Sequence, residues 1–360
     1  MELKTPLHNA HIAAGGQMVN FAGWSMPIHY GSQIKEHTAV RETAGMFDVS
    51  HMTVVDIQGA DAKAYLRFLL ANDVAKLTQS GQALYGCMLN PTGGIIDDLI
   101  TYFINPSFYR TVVNAATREQ DLAWMQSKAE SFDVKIVERD DLAMVAVQGP
   151  KARHIVSEIL KGPELLEMKP FMSTPFGDWF VARTGYTGED GFEILLPADQ
   201  ANEFWQALLA AGVVPCGLGA RDSLRLEGGL NLYGQDMTTE TTPLESNLAW
   251  TVALNTEERD FVGAQALLAQ KTAGVPRQLV GLVLDKGAIP RTGSVVETPA
   301  GEGVITSGSF GPTIDRPIAL ARLPAGDFDE VTVIVRGRSL SAKVVKPPFV
   351  RQGEVKVTLS

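Results

Sequence analysis

The segment between residues 84 and 114 has few ways to fold. Residues 84–89 are a β-rich run, Asn90-Pro91-Thr92-Gly93-Gly94 is strong turn chemistry, residues 95–104 form a second run, and Asn105-Pro106-Ser107 turns into a third run ending near Asn114. This spacing predicts an antiparallel meander. Thr117 then stands where a helix would be capped, with Gln120 three residues on completing a capping box and Leu122, Met125, Ala129 and Phe132 as the buried stripe.

The meander lies between two similar units. Residues 53–57 end in Gln58-Gly59 ahead of a helical pattern with Ala62, Leu66, Leu69 and Leu70 on one side. Residues 144–147 end in Gln148-Gly149, and Pro150 sits where a first helical turn tolerates a missing donor, ahead of Ile155, Val156, Ile159 and Leu160. Two strand-Gln-Gly-helix units about ninety residues apart are either related halves or a chance likeness. Residues 179–182 read as a strand, followed by a glycine-rich loop, the alternating strand 192–196 and a helix from about Ala201, with Gly212 placed to cap it. Beyond Thr272 short β-branched runs at 279–284, 304–306, 331–335 and 342–345 are separated by Gly and Pro, which predicts a separate small β-barrel or sandwich. The fold class expected is α+β with an all-β carboxyl end.

Composition removes several classes of function. At 360 residues the chain is long enough for two or three domains, and its net charge of −10 argues against a polyanion-binding protein, so no nucleic acid partner is expected. Two cysteines, Cys87 and Cys216, are too few for a disulfide framework and form no CxxC zinc pair. The first residues lack the features of a signal or transit peptide, and no apolar run is long enough for a membrane span. These features predict a soluble cytoplasmic chain with no membrane partner. P-loop, HExxH, GxSxG and GxGxxG signatures are absent. His8, His11, His29, His37 and His51 all precede residue 52, but their spacings match no metal site and they read as surface or hydrogen-bonded groups.

Asp97 and Asp98 interrupt an apolar strand. Alternation puts Asp97 with Ile95, Leu99 and Phe103 on one face and Asp98 with Ile96, Ile100, Tyr102 and Ile104 on the other. Both faces are apolar, so either carboxyl needs donors or a cation; otherwise desolvation raises its pKa and makes it a candidate acid or base. Pattern does not choose between them, nor between catalysis and a cap at the hairpin. Gly217-Leu218-Gly219-Ala220-Arg221-Asp222-Ser223-Leu224-Arg225-Leu226-Glu227 predicts a helix starting near Ala220 with Arg221 and Arg225 one turn apart. The two arginines would suit a carboxylate or a polar heterocycle, or would pair with Asp222 and Glu227 on a solvated helix. Glu193 is the only polar residue of the strand 192–196. It points either to solvent or into a cleft, where it could accept two hydrogen bonds from a planar ring bearing an amino group and an adjacent N–H.

Several motifs occur in a telling order. Phe21-Ala22-Gly23-Trp24, Phe47-Asp48-Val49-Ser50-His51-Met52, Gly93-Gly94-Ile95-Ile96-Asp97-Asp98-Leu99, Gly185-Tyr186-Thr187-Gly188-Glu189-Asp190-Gly191 and Ala220-Arg221-Asp222-Ser223-Leu224-Arg225-Leu226-Glu227 are followed by Leu232-Tyr233-Gly234, Ile305-Thr306-Ser307-Gly308 and Pro348-Phe349-Val350. Over essentially the whole chain this closely resembles the aminomethyltransferases, the T proteins of the glycine cleavage system. The resemblance implies a three-domain cloverleaf around a central folate channel, with two α+β domains and a carboxyl-terminal barrel or jelly-roll-like domain. The boundaries expected are 1–51 with 138–242 for the first domain, 52–137 for the second, 243–271 as a connecting segment and 272–360 for the third. It also implies transfer of the methylene of an aminomethyl group, carried on the lipoyl arm of H protein, to tetrahydrofolate. The products are 5,10-methylenetetrahydrofolate, ammonia and the dihydrolipoyl arm.

Tetrahydrofolate is then a co-substrate, with no metal, nicotinamide or flavin required. Lipoylated H protein is the implied partner, with transient contact to the other glycine cleavage components. By resemblance Asp98 is the catalytic aspartate, which positions folate and assists proton movement at N10 as N5 attacks the methylene carbon and ammonia leaves. Glu193 corresponds to the pterin-binding glutamate and Arg221 to the folate-contacting arginine, while Asn114, Tyr186, Tyr85 and Met52 fall near the folate. After Phe349-Val350 the chain continues Arg351-Gln352-Gly353-Glu354, without the tyrosine some members place against the folate. Alternative readings are the folate-binding part of a related demethylating enzyme and a non-catalytic folate-binding paralogue. The net charge implies a local basic patch at the lipoyl entrance, since H proteins are typically acidic.

Overall fold

The computed structural model describes residues 2–254, 259–285 and 287–358. The meander forms as Ala83–Leu89, Ile95–Asn105 and Phe108–Val113, with Cys87 opposite Asp98 and Ile100 opposite both Tyr85 and Val112. Thr53–Gln58 and Lys135–Glu138 complete a five-stranded sheet. A six-stranded sheet runs in the order Ser173–Phe176, Trp179–Ala182, Gly191–Pro197, Leu142–Gln148, Gly45–Asp48 and Val214–Pro215, and only its last pair is parallel.

Strand alternation decides what lies between the layers. Along Leu142–Gln148, the residues Ala143, Val145 and Val147 share a core with the helices His8–Ala13, Ala152–Leu160 and Ala201–Ala210, whereas Met144 and Ala146 belong to a different core. Along Ile95–Asn105, Leu99 and Phe103 pack with the helices Ala62–Leu69 and Arg118–Ala129. Ile100 and Tyr102 instead join Met144, Ala146, Phe180 and Leu195. The two sheets therefore meet face to face, each with helices on its outer side.

The two strand-Gln-Gly-helix units take corresponding places, one in each sheet, with Gly59 at φ 148° and Gly149 at φ 128° at the corners. A Cβ on Gly149 would stand 2.6 Å from the carbonyl oxygens of Thr43 and Val40, so the corner needs glycine. Three local expectations change. Pro150 lies in the corner itself, and the helix begins at Ala152. The capping box at Thr117 and Gln120 does not form; the helix begins at Arg118, and Thr117 Oγ1 donates to the Asn114 carbonyl at 3.1 Å. The arginine-bearing helix starts at Leu218, two residues before Ala220.

The carboxyl end closes a six-stranded barrel in the order Arg277–Leu284, Arg316–Pro324, Gly301–Gly311, Val295–Thr298, Glu330–Val335 and Arg338–Val345. The helix Leu218–Glu227 fastens it to the sheets. Arg225 pairs with Asp236 at 2.8 Å and donates to Ser307 Oγ at 3.0 Å, while Glu227 accepts from the Thr313 N–H at 2.7 Å. Glu227 does not pair with the arginines of its own helix; it meets Arg41 at 2.9 Å and His37 at 3.1 Å, both from the helix Gln33–Glu42. Beyond the barrel the chain returns to the sheets. The Phe349 N–H donates to the Glu227 carbonyl at 2.9 Å, the Gln352 N–H to the Gly188 carbonyl at 3.0 Å, and the Gly353 N–H to Glu189 Oε1 at 2.8 Å. Residues 255–258 of the expected connecting segment lie outside the described residues. No helix among the described residues is long and apolar enough to cross a membrane.

Candidate active site

The seven residues singled out from the sequence, Met52, Tyr85, Asp98, Asn114, Tyr186, Glu193 and Arg221, are all half-buried; six lie in strands and loops, and Arg221 lies in the helix Leu218–Glu227. Alternation explains the two carboxyls. Asp98 shares the face of Ile100 and Tyr102 and so looks toward the other sheet, and Glu193 shares the face of Leu195 on that opposing sheet. Asp97 is fully buried on the helix side. Adjacent aspartates thus occupy opposite layers, and only Asp98 opens onto the gap.

Neutral donors hold Asp98. Tyr85, diagonal to it on the neighbouring strand, donates from Oη to Asp98 Oδ2 at 2.8 Å, and Asn114 Nδ2 donates to Oδ1 at 2.8 Å. The same Asn114 amide reaches Asp97 Oδ1 at 2.8 Å, while the Asn114 N–H donates to Asp97 Oδ2 at 3.0 Å. Burial pushes Asp98 up to about 7, and the charge of Asp97 adds to this against the two hydrogen bonds. Burial, then the Asp98 charge, raises Tyr85 well above its ordinary range, so it stays a donor.

Across the gap, Thr184 Oγ1 donates to Glu193 Oε2 at 2.6 Å and lies 3.2 Å from Tyr102 Oη, so a polar chain links the sheets. Burial raises the Glu193 pKa against the Thr184 hydrogen bond and the charge of Arg221. The Arg221 guanidinium lies 4.6 Å from the centre of the Tyr186 ring, a cation–π contact. Tyr186 Oη donates to the Asn231 carbonyl, and Tyr186 feels the charge of Asp98, which joins the two halves of the constellation. Met52 packs at the edge of the inter-sheet core. Two surface hollows of about 290 and 530 Å³ involve none of these residues; one is lined by Asn90, Thr92 and Thr239, the other by Leu244, Val252 and Lys271.

Sequence reasoning missed several supports. Gln148 is fully buried, donates to the Thr184 carbonyl at 3.0 Å and accepts from Thr187 Oγ1 at 2.9 Å, fixing the loop that carries Tyr186. A Cβ on Gly185 would lie 1.9 Å from Gln148 Oε1, so any larger residue there would displace this amide. The repeated strand-Gln-Gly pattern was the available signal. His51 is 2% exposed, and burial with the nearby Arg221 charge pushes it down to about 4, so it stays neutral. Trp250, 66% exposed, stacks on Tyr85 with ring centroids 5.8 Å apart. Asp121 is fully buried beside Asp97, and neither of its carboxyl oxygens has a hydrogen-bond partner of ordinary geometry among the described residues.

Two facing sheets and a closed barrel are an architecture shared with glycine cleavage T-type proteins. Residues 7–256 match the family model described as the GCVT N-terminal domain, and residues 277–351 match the glycine cleavage T-protein C-terminal barrel domain. The chain is 56% identical to the aminomethyltransferase of Stenotrophomonas maltophilia (strain K279a), with 98% of each chain covered, and 55% identical to that of Xanthomonas axonopodis pv. citri (strain 306) over the same share. The crystal structure of glycine cleavage system aminomethyltransferase T from Bartonella henselae superposes with a TM-score of 0.92 at 37% identity, covering 99% of this chain and 100% of that one. This chain belongs to the aminomethyltransferase family.

Proposed function

We propose that this protein is the T protein of a glycine cleavage system, transferring the methylene of an aminomethyl group on the lipoyl arm of H protein to tetrahydrofolate. In the net reaction the methylene carbon loses its bonds to sulfur and to nitrogen and gains bonds to N5 and N10. The two protons displaced from N5 and N10 leave on the dihydrolipoyl thiol and on ammonia, with no redox step. The observation that carries this reading is the placement of Asp98, with its pKa near 7 and its neutral donors, opposite Glu193 and the Arg221–Tyr186 contact in one gap.

Each side chain has a part suited to its surroundings. Asp98, ionised, accepts a hydrogen bond at folate N10 and takes up the proton as the new bond forms; a pKa near 7 suits a group that must both take and release it. Tyr85 and Asn114 hold its two oxygens in place. Glu193 accepts the pterin amino group and the adjacent ring N–H, and those donors offset the burial that raises its pKa. Arg221, steadied on Tyr186, contacts the folate, and Met52 supplies an apolar wall. Purified protein mixed with tetrahydrofolate and aminomethyl-loaded H protein should release ammonia and form methylenetetrahydrofolate without an oxidant. A need for an oxidant would favour a demethylating role, and folate binding without turnover a non-catalytic one.

A further inference from the structure

Asp121 has no part in the reaction so far. It sits on the helix Arg118–Ala129, is fully buried, and neither of its carboxyl oxygens has a hydrogen-bond partner of ordinary geometry. The groups facing it are the Asp97 carboxyl and Thr117, whose hydroxyl is already donated to the Asn114 carbonyl. The wider surroundings add Asp98 on the strand, Tyr85 and Cys87 on the neighbouring strand, and Tyr186 and Tyr233 on loops. Among the described residues no ion pair includes Asp97, Asp98 or Asp121. Two carboxyls in contact without a cation stay together only with a proton between them.

The donors decide where that proton resides. Asp97 receives two hydrogen bonds from Asn114, through its N–H and its amide, and these favour an ionised Asp97. Asp121 receives none, so it keeps the proton and points it at Asp97. Resting on the functional reading above, we propose that Asp121 is a positioning residue: a protonated carboxyl that donates to Asp97 and so holds in place both Asn114 and the negative charge beside Asp98. Burial raises both members of the pair, with Asp121 adding to it at Asp97 and the Asp98 charge adding to it at Asp121 against the Asp97 and Thr117 contacts, in keeping with one retained proton. The chain of contact is Asp121 to Asp97, Asp97 to Asn114, and Asn114 to Asp98.

Two substitutions test this. Asn at position 121 can donate as the protonated carboxyl does, so Asp121→Asn should keep the acidic limb of the transfer pH profile where the wild type has it. Leu cannot donate; in Asp121→Leu the proton moves onto Asp97, the charge beside Asp98 is lost, and the limb should move to lower pH by about one unit, with a reduced kcat. Infrared spectra of the protein alone, taken about two pH units above the Asp98 titration where Asp98 itself is ionised, should show a buried carboxylic acid band that Asp121→Asn lacks. A band that persists in Asp121→Asn, or equal limb movements in both variants, would overturn the proposal. If Asp121→Leu does not fold, the infrared comparison still decides. A wild type that forms no methylenetetrahydrofolate would sink the functional reading and leave the infrared result standing.

Discussion

Glu227 and Asp98 are both enclosed carboxyls, and their surroundings drive them in opposite directions. Burial raises Glu227, but the hydrogen bond and charge of His37, the charge of Arg41 and the Thr313 contact outweigh it and hold the carboxyl below its ordinary range. Burial raises Asp98 too, and there only Tyr85 and Asn114 oppose it while Asp97 adds to it. The supply of cations, not the depth of burial, separates the two. It also separates their tasks. Glu227 joins two helices and the barrel, whereas the hydrogen bonds of Asp98 stay within its own sheet.

Linkage gives the two groups opposite signs. Glu227, lowered on folding, contributes stability that is full above the ordinary Glu value and is lost as pH falls through its folded pKa. Asp98, raised on folding, costs stability as pH rises from the ordinary Asp value toward about 7. The largest test of this contrast is Asp98→Asn. Methylenetetrahydrofolate formation should fall roughly 10²- to 10⁴-fold, while stability to urea at neutral pH rises by about 1 kcal/mol. Turnover near the wild-type rate would break the contrast at its catalytic end.

Glu227→Gln should do the reverse. It leaves Arg41 and His37 facing a neutral group and should cost about 3 kcal/mol in urea denaturation at neutral pH, a deficit that shrinks on acidification, with little change in kcat of the folded protein. Full stability with lost activity would show that Glu227 is no mere joint. The smallest effect is expected at Glu193, to which the proposed function gives a part in binding. Glu193→Ala should weaken tetrahydrofolate binding by roughly 10- to 100-fold in a titration, with stability nearly unchanged. Unchanged affinity would remove Glu193 from the folate contacts.

What the sequence revealed follows the range of the interactions involved. The meander and the cap at Gly212 depend on neighbours a few residues away and were legible, and the two Gln-Gly corners were legible as a pattern although the backbone that crowds their glycines, Asp133 at Gly59 and Thr43 at Gly149, lies far along the chain. Alternation showed that Asp97 and Asp98 face opposite ways, but which face meets the second sheet depends on Met144, Ala146 and Leu195, far along the chain. Glu227 was open to pairing within its helix because its true partners, Arg41 and His37, lie at least 186 residues away. The capping box failed because Thr117 has ψ 0°, not the extended backbone that turns a cap side chain toward the third N–H of the helix. Asp121 carried a signal in its spacing, since it stands one helical turn before the fully buried Met125. A polar residue in line with a buried apolar one passes for an exposed acid until the layer beneath it is known.

The return of the chain past the barrel bears on the order in which the molecule can be made. The loop carrying Tyr186 receives hydrogen bonds from Gln352 and Gly353, and Glu227 receives one from Phe349. During synthesis the strands bearing Asp98 and Glu193 emerge and can pair long before those residues exist. The gap therefore waits on residues translated after the barrel, and a ribosome stalled within the barrel holds a chain whose Tyr186 loop is still untethered.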